Sequence, residues 1–320
     1  MRPPFITSAV LPDTLWLNSG KAPETSGQLC LPWLLAEVYR EVLQELRLLP
    51  AALETTPCNE GPQGGITEEE TRAHFARSFS GSCARLAFVA LDPLAVFRTS
   101  RDLFVRLFSG GRLHLLDLPC GAGAASATLL CLAADLRQQD RLPRQPLRVT
   151  VLGGDLSEPA LRIQRRLYRK LTPRLEEYGI QFRPVVQRWD IEDAEQTTAL
   201  LARWGKLCPA RAATAVLAAN FSGFLSQKVK ECREQLREIL RHAGVQGADV
   251  LWVEPRTTAA TQKLFPGLSK EVFPKVLKMR QSWGDKPRAG QCAVQHPIQQ
   301  HGSFTVSAAA MHLAPSRRSA

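Results

Sequence analysis

The chain has 320 residues, of which 44% are apolar, and it carries 41 Lys and Arg against 30 Asp and Glu residues. This length and this ordinary apolar fraction exclude a collagen-like, a mainly disordered and a disulfide-scaffold protein. The net charge of +11 favours an acidic partner, of which RNA or a ribosomal particle is the first candidate.

Three features of the sequence bear on its compartment. No uninterrupted apolar run approaches the roughly 18 residues of a membrane-spanning helix, so we expect no membrane contact. The N-terminus lacks the apolar segment and cleavage site of a secretory signal, which predicts a cytoplasmic location. The eight cysteines form no CxxC pair and have no histidine at metal-ligand spacing, which predicts reduced, mostly buried thiols and no metal site.

The first third of the chain predicts an arm followed by helices. Residues 1–28 contain Pro, Ser, Thr and Gly with little periodicity, and predict an irregular arm. Residues 29–110 predict a helical cap, because apolar residues recur at helical spacing and Thr67 with Glu70 has the form of a capping box. Its helices are expected at about 31–49, from 67 onward and at about 93–110.

After Gly111, short apolar runs alternate with longer amphipathic segments, as is typical of a parallel sheet covered by helices. Strands are predicted at about 113–118, 147–154, 181–187, 213–219 and 248–253. Helices are predicted at about 124–139, 158–178, 194–206, 226–243 and 269–281. Two further strand-like segments, Gln291–Ile298 and Ser303–His312, predict an antiparallel hairpin.

Three of the predicted strands end in segments suited to a nucleoside ligand. The first runs into Leu115–Gly123, where Gly121 and Gly123 allow a tight turn and the following helix offers free amides. The second ends in Gly154-Asp155-Leu156-Ser157, whose carboxylate can accept both hydroxyls of a ribose. The third ends in Trp189-Asp190-Ile191, a carboxylate beside an apolar side chain, which suits adenine.

Together these segments resemble the class I S-adenosylmethionine-dependent methyltransferases over about residues 112–313. The resemblance implies an α/β, Rossmann-like domain over 111–314 with a seven-stranded, mostly parallel sheet and a C-terminal antiparallel hairpin, followed by a tail over 315–320. It also implies S-adenosyl-L-methionine as cofactor. The residues that the resemblance assigns to this cofactor are Asp117, Pro119, Cys120, Gly121 and Gly123 for its methionine part, Asp155 and Leu156 for ribose, Asp190 and Ile191 for adenine, and Asn220.

The turn after the first strand departs from two family patterns. Pro119 stands where the methyltransferase turn usually begins with glycine, and proline has no amide to donate. The same turn lacks the G-x-G-x-x-G pattern of NAD-dependent dehydrogenases, which disfavours that class. Cys120 in this turn is interpreted as a small wall residue in preference to a catalytic thiol.

Two residues are candidates for catalysis. Asn220 ends the fourth strand, and Asn220-Phe221 resembles the Asn-Pro-Pro-aromatic motif of amino-group methyltransferases without its prolines. Glu254 ends the fifth strand and either contacts the substrate or braces Arg256. The Glu-Pro pair at this point also resembles ribosomal-assembly methyltransferase-like proteins.

Three functions remain open at this stage. The first is a methyltransferase acting on RNA or a ribosomal component, and the second is one acting on a small metabolite enclosed by the helical cap. The third is a non-catalytic methyltransferase-like scaffold or interaction protein. Basic residues within 161–175 and 263–288 would follow a phosphate backbone, against the competing interpretation of a solvated helix face. The sequence predicts neither the methyl-accepting atom nor the oligomeric state.

Overall fold

The computed structural model describes residues 11–18, 27–54, 65–208, 212–255, 279–298 and 302–315. The strands are β1 (Trp16–Asn18), β2 (Gly27–Cys30), β3 (Gly111–Asp117), β4 (Leu147–Asp155), β5 (Ile180–Arg188), β6 (Ala213–Ala219), β7 (Asp249–Pro255), β8 (Met279–Gln295) and β9 (Gly302–Pro315). The helices are α1 (Trp33–Glu45), α2 (Leu49–Leu53), α3 (Glu68–Leu91), α4 (Arg98–Phe108), α5 (Ala124–Gln138), α6 (Glu158–Glu176), α7 (Ala194–Leu207) and α8 (Ser222–Val245). None of the helices described combines the length and the apolar character that a bilayer span needs.

All the strands belong to one sheet, in the order β1-β2-β8-β9-β7-β6-β3-β4-β5. Strands β3 to β7 are parallel, and β9 lies antiparallel between β7 and β8. The predicted α/β class, the five parallel strands and the antiparallel hairpin beside the fifth of them are therefore confirmed.

Within the described residues the sheet has nine strands instead of the predicted seven, because the N-terminal segment adds two. Strand β2 pairs in parallel with the edge of β8, and β1 pairs antiparallel with β2. The prediction of an irregular arm over 1–28 is thus wrong at Trp16–Asn18 and at the start of β2. Segments of three and four residues are too short to show a strand period, and the edge of β8 supplies the hydrogen bonds that make them strands.

The C-terminal hairpin is longer than predicted. Strand β8 begins at Met279, so the predicted helix over 269–281 is wrong at its last three positions, and its positions 269–278 lie outside the described residues. The pairing of β8 with β9 shifts register between Trp283 and Asp285 and again between Asp285 and Arg288. Such bulges break the alternation of side chains, which explains why the sequence pattern shows only the end of this strand.

Helices cover both faces of the sheet, as in a doubly wound fold. Leu115 and Val151 face a core shared with α1, α3, α4, α5 and α6. Leu116 and Leu152, one position along the same strands, face a second core formed with α7 and α8. The N-terminal helices therefore pack in one continuous core with the helices that follow β3 and β4.

Salt bridges tie α6 to the N-terminal helices. Four of the six basic residues predicted to follow a phosphate backbone instead face carboxylates of α1, α3 or α6 itself. The pairs are Arg162 with Glu68, Arg165 with Glu158, Lys170 with Glu41 and Glu45, and Arg174 with Glu37 and Glu41. For these four residues the structure favours the competing interpretation, a solvated helix face, because carboxylates already pair with each cation. The side chains of the second basic segment, 263–288, lie outside the described residues.

The predicted capping box at the start of α3 is confirmed. The Thr67 hydroxyl accepts the Glu70 amide at 3.2 Å, and the Glu70 carboxylate accepts the amides of Thr67 and Ile66 at 3.0 and 3.1 Å. We expect Thr67→Ala to lower the free energy of unfolding by about 1 kcal/mol, because a helix-capping acceptor is lost. Urea denaturation measures this change.

Thr198→Ala in α7 is the matched control, since its hydroxyl only donates to the Ala194 carbonyl inside the helix. Its effect should stay within about 0.5 kcal/mol. Equal losses in the two variants would contradict the capping role of Thr67.

Candidate functional site

The polar residues singled out in the sequence lie at one edge of the sheet. Strands β3, β4, β5 and β6 are parallel neighbours, and Asp117 pairs in register with both Gly153 and Leu217. The chain winds outward from β3 to β5 in one direction and from β6 to β7 in the other, so the strand order reverses between β3 and β6. Ligands of open α/β sheets bind at the carboxyl ends of the strands beside such a reversal.

Two glycines shape the turn after β3, and the space around their Cα atoms differs. Both have left-handed backbone angles, with φ of 51° at Gly121 and 89° at Gly123. A Cβ at Gly123 would lie 2.9 Å from Gln164, so this glycine allows α5 and α6 to pack. A Cβ at Gly121 would meet no atom within 4 Å, so this part of the turn faces open space. The half-buried Pro119 follows a cis peptide bond.

The carboxylate of Asp155 joins this turn to the end of β4. One oxygen, Oδ2, accepts the Gly121 amide at 2.8 Å, and the other, Oδ1, accepts the Ser157 amide at 2.9 Å. Burial raises the pKa of Asp155, while these amides and the nearby His74 imidazole oppose that shift. A carboxylate has about four acceptor positions, so the two amides leave capacity for two hydroxyl donors. Leu156 is half-buried beside it.

Asp117 is the fully buried acid beneath the turn. The Ser126 hydroxyl donates to its Oδ2 at 2.7 Å, and Ser126 also bonds with the Tyr168 hydroxyl. Its other oxygen, Oδ1, has no hydrogen-bond partner among the described residues. Burial raises the pKa of Asp117 to about 7, a shift that the bonds from Ser126 only partly oppose.

Cys120 is buried against α6, where its thiol donates to Gln164 Oε1 at 3.2 Å. Burial raises the pKa of this thiol well above its usual range, and the negative charges of Asp155 and Asp117 add to the shift. A neutral, enclosed thiol is a poor nucleophile. The geometry therefore favours the interpretation of Cys120 as a wall residue.

The end of β5 is fixed to the end of β4. The Trp189 amide donates to the Asp155 carbonyl at 2.9 Å, and the Asp190 amide donates to Gln196 Oε1 at 3.0 Å. Asp190 Oδ1 accepts the Glu192 amide at 2.9 Å, which leaves Oδ2 without a bond to the described residues. Ile191 is buried at 4% exposure, in the core under α7.

Helix α3 closes the edge at β6, through residues that sequence reasoning missed. Asn220, with a left-handed φ of 56°, donates from Nδ2 to Ser82 Oγ at 2.9 Å. Arg85 donates to Asn220 Oδ1 at 3.3 Å and to Ser82 Oγ at 3.1 Å. The signal available in the sequence was Arg85 itself, a lone cation in the otherwise uncharged run 82–91. Both ends of the Asn220 amide are thus held by α3, which gives this residue a positioning role.

Glu254 lies near the end of β7, beside the end of β6, and is fully buried. Its Oε1 accepts the amides of Phe221 and Ser222 at 2.8 and 3.0 Å and the Trp252 indole at 2.6 Å, while its Oε2 accepts the Ser222 hydroxyl at 2.8 Å. Burial raises the pKa of Glu254, and these four bonds oppose the shift. Burial likewise lowers the pKa of Arg85 to about 10, against the attraction of Glu254. Glu254 therefore positions the start of α8 and has no exposed atom for a substrate.

No protein-family profile and no curated protein matches the chain. Solved structures that are similar to it include two methyltransferases and a phosphofructokinase. A protein from Listeria monocytogenes, assigned to the class I S-adenosylmethionine-dependent methyltransferases, has 11% identity and a TM-score of 0.30, over 90% of this chain and 83% of that one. An antibiotic-related methyltransferase has 10% identity and a TM-score of 0.31, over 67% of this chain and 93% of the other.

The third similar structure is the phosphofructokinase of Pichia pastoris in its T state. It has 11% identity and a TM-score of 0.34, over 85% of this chain and 98% of that one. TM-scores this low do not distinguish a methyltransferase from a phosphofructokinase. The function is therefore inferred from the site itself.

Within the part of the chain described, no three His, Cys, Asp or Glu side chains are grouped so as to hold a metal ion.

The buried Asp117 makes stability depend on pH. Its pKa is about 7 in the folded protein against an ordinary 3.8, so the folded state binds more protons than the unfolded chain between these values. Its contribution to the free energy of unfolding therefore falls as pH rises from about 4 to about 7, and is level above. Between pH 5 and 7 we expect Asp117→Asn, which cannot ionise, to remove a slope of up to about 1.4 kcal/mol per pH unit.

Urea denaturation of wild type and variant across this pH range measures the difference in slope. Asp135→Asn is a matched control away from the turn, because burial also raises the pKa of Asp135 to about 7. Asp135→Asn should remove a similar slope. Parallel stability curves for wild type and Asp117→Asn would show that Asp117 is ionised throughout.

Proposed function

We propose that the chain is an S-adenosylmethionine-dependent methyltransferase whose cofactor site is the edge formed by β3, β4, β5 and β6. The observation that carries this proposal is the bond from the Gly121 amide to the Asp155 carboxylate. It holds an acid at the end of the second parallel strand against a glycine turn after the first. The sheet around it has the parallel strands and the antiparallel hairpin that the resemblance implies.

The atoms left unsatisfied at this edge fit the polar groups of the cofactor. Asp155 has acceptor capacity for two ribose hydroxyls, with Leu156 beside it, and Asp190 Oδ2 is available to an adenine amino group, with Ile191 next to it. Asp117 is fully buried beneath the turn, where its bonds to Ser126 position the start of α5. The open space at Gly121 gives the methionine part of the ligand room.

The turn still has free amide donors, although Pro119 has no amide. The Gly121 amide is taken by Asp155 and the Gly123 amide by the Cys120 carbonyl. The amides of residues 122, 124 and 125, at the start of α5, donate to no acceptor among the described residues. We therefore assign the carboxylate of the methionine part to these amides, where the positive end of the helix dipole favours an anion.

The chemistry that the cofactor supplies when bound is a methyl group made electrophilic by its sulfonium. The chain's own contribution is to align the acceptor and exclude water. Helix α3 would align the acceptor and exclude water, because it contacts the edge at two points. The Thr71 hydroxyl bonds with the Ser157 hydroxyl at 3.1 Å near the end of β4, and Ser82 bonds with Asn220 at the end of β6. Glu254 and Arg85 hold this corner rigid from below. No dedicated base is required for an acceptor that is already nucleophilic.

RNA or a ribosomal component is the acceptor class that we propose first, because the chain carries a net charge of +11. A small metabolite is the second candidate. The observation that favours it is the contact of Ser82 and Arg85 with Asn220, which narrows the edge at the strand nearest the transferable methyl.

Calorimetric titration with S-adenosylmethionine and S-adenosylhomocysteine tests the proposal. We expect micromolar binding by the wild type, and binding about tenfold weaker or more in Asp155→Ala and Asp190→Ala, because each loses a charged acceptor. Asp140→Ala is the matched control, since Asp140 only pairs with Arg144 at an exposed position. It should bind like the wild type.

Thermal melting must show that each variant is folded. If Asp155→Ala is not folded, Asp155→Asn serves as the second variant, since the asparagine keeps an acceptor oxygen. A folded wild type that binds neither compound would contradict the proposal and favour a non-catalytic scaffold or interaction protein.

A further inference from the structure

The amino-terminal halves of β3, β4 and β5 present a polar surface on the side of the sheet where α7 packs. Helix α7 covers only the other half of these strands, where Leu116 and Leu152 lie under Leu200 and Trp204. In the polar half, His114 is buried and Thr150 is half-buried, whereas Arg112, Arg148, Gln181 and Arg183 are exposed. Two rows of paired residues cross it. The first row is Arg112, Arg148 and Gln181, and the second is His114, Thr150 and Arg183.

We call Arg112, Arg148, Thr150, Gln181 and Arg183 the arginine face. Its three arginines are exposed, and none forms an ion pair within the described residues. Arg148 donates to Gln181 Oε1 at 3.0 Å, which holds its guanidinium over the strand. This contrasts with α6, where four of the six cations face carboxylates.

The arginine face lies along a groove of about 680 Å³. The groove is lined by Arg148, Arg183, Thr150 and Gln181, and Glu176 is the acid among its lining residues. Two arginines against one carboxylate leave the groove positive. The same potential acts on His114, whose pKa is lowered by burial and by the charge of Arg183.

We propose that the arginine face binds the phosphate backbone of base-paired RNA, and this proposal rests on RNA as the acceptor class given above. Guanidinium groups match phosphate with paired N–H donors, and they are the cations preferred for this contact. Adjacent strands lie about 4.8 Å apart, so Arg112 and Arg148 are direct neighbours and Arg183 lies diagonally from Arg148. The three guanidinium groups therefore form a short row of positive charges that can contact successive phosphates.

Other occupants fit the chemistry of the face less well. None of its exposed side chains is aromatic, and both His114 in the second row and Phe182 beside the groove are buried, so bases of a single strand have no exposed stacking platform. The exposed large apolar side chains of the described residues lie elsewhere, so the face lacks the anchors of protein and lipid contacts. The Thr150 hydroxyl and Gln181 amide can serve 2′-hydroxyls, which RNA has and DNA lacks.

The arginine face and the cofactor edge lie at opposite ends of the same strands. Asp155 lies seven positions after Arg148 in β4, which corresponds to roughly 23 Å along the strand. A duplex held at the face would therefore place a distant part of the same RNA at the edge. The face thus supplies anchoring, while selection of the methylated position remains with the edge.

Fluorescence anisotropy with a labelled RNA hairpin, without cofactor, tests the proposal. Arg148→Gln/Arg183→Gln should bind about tenfold more weakly, because two charge-assisted contacts are lost. The slope of log Kd against log salt should fall by about two. The matched control is Arg166→Gln/Arg169→Gln, which removes the same charge from exposed α6 residues that also have no ion-pair partner in the described chain. This control should keep most of the affinity and of the slope.

Three results would overturn the proposal: no hairpin binding by the wild type, equal losses in the two double variants, or equal or tighter binding of a DNA duplex or a single-stranded RNA of the same length. Thermal melting checks that both variants are folded. The anisotropy assay contains no cofactor. Failure to bind S-adenosylmethionine would therefore contradict the proposed function without changing the measured affinity for the hairpin. Conversely, Arg148→Gln/Arg183→Gln should bind S-adenosylmethionine like the wild type.

Discussion

The ligand edge of the sheet depends on one carboxylate that accepts two backbone amides. Asp155 accepts the amide of Gly121 on one oxygen and the amide of Ser157 on the other, and it thereby ties the turn after β3 to the end of β4. Charge-assisted bonds of this kind are roughly twice as strong as those between neutral groups. Because both donors are backbone groups, the carboxylate fixes the shape of the ligand edge before any ligand arrives.

The N-terminal helices are part of this edge rather than an appendage to it. Helix α3 contacts the end of β4 through Thr71 and the end of β6 through Ser82 and Arg85. In the buried network beneath the end of β6, Glu254 accepts four donors, and the positive charge of Arg85 offsets the negative charge of Glu254. The same helices pack in the core with α5 and α6, so motion of α3 away from the edge would expose apolar side chains.

The sequence predicted the central strands and the order of the site residues because each depends on a local pattern. Alternation of apolar runs located β3 to β7, and Asp155 and Asp190 follow directly from the ends of β4 and β5. Strands β1 and β2 were missed because they depend on the edge of β8 for their hydrogen bonds. The pairing of Arg174 with Glu41, and of Asn220 with Ser82, joins residues more than a hundred positions apart, and no local pattern records such contacts.

The most direct test of the central claim is amide hydrogen exchange with and without S-adenosylhomocysteine, resolved to short peptides. If the edge around Asp155 is the cofactor site, exchange should slow in segments 118–126, 154–157 and 190–193. It should be unchanged at 147–150 and 180–183, at the opposite end of the same strands. Slowing confined to the opposite end, or no slowing at a saturating concentration, would contradict the account.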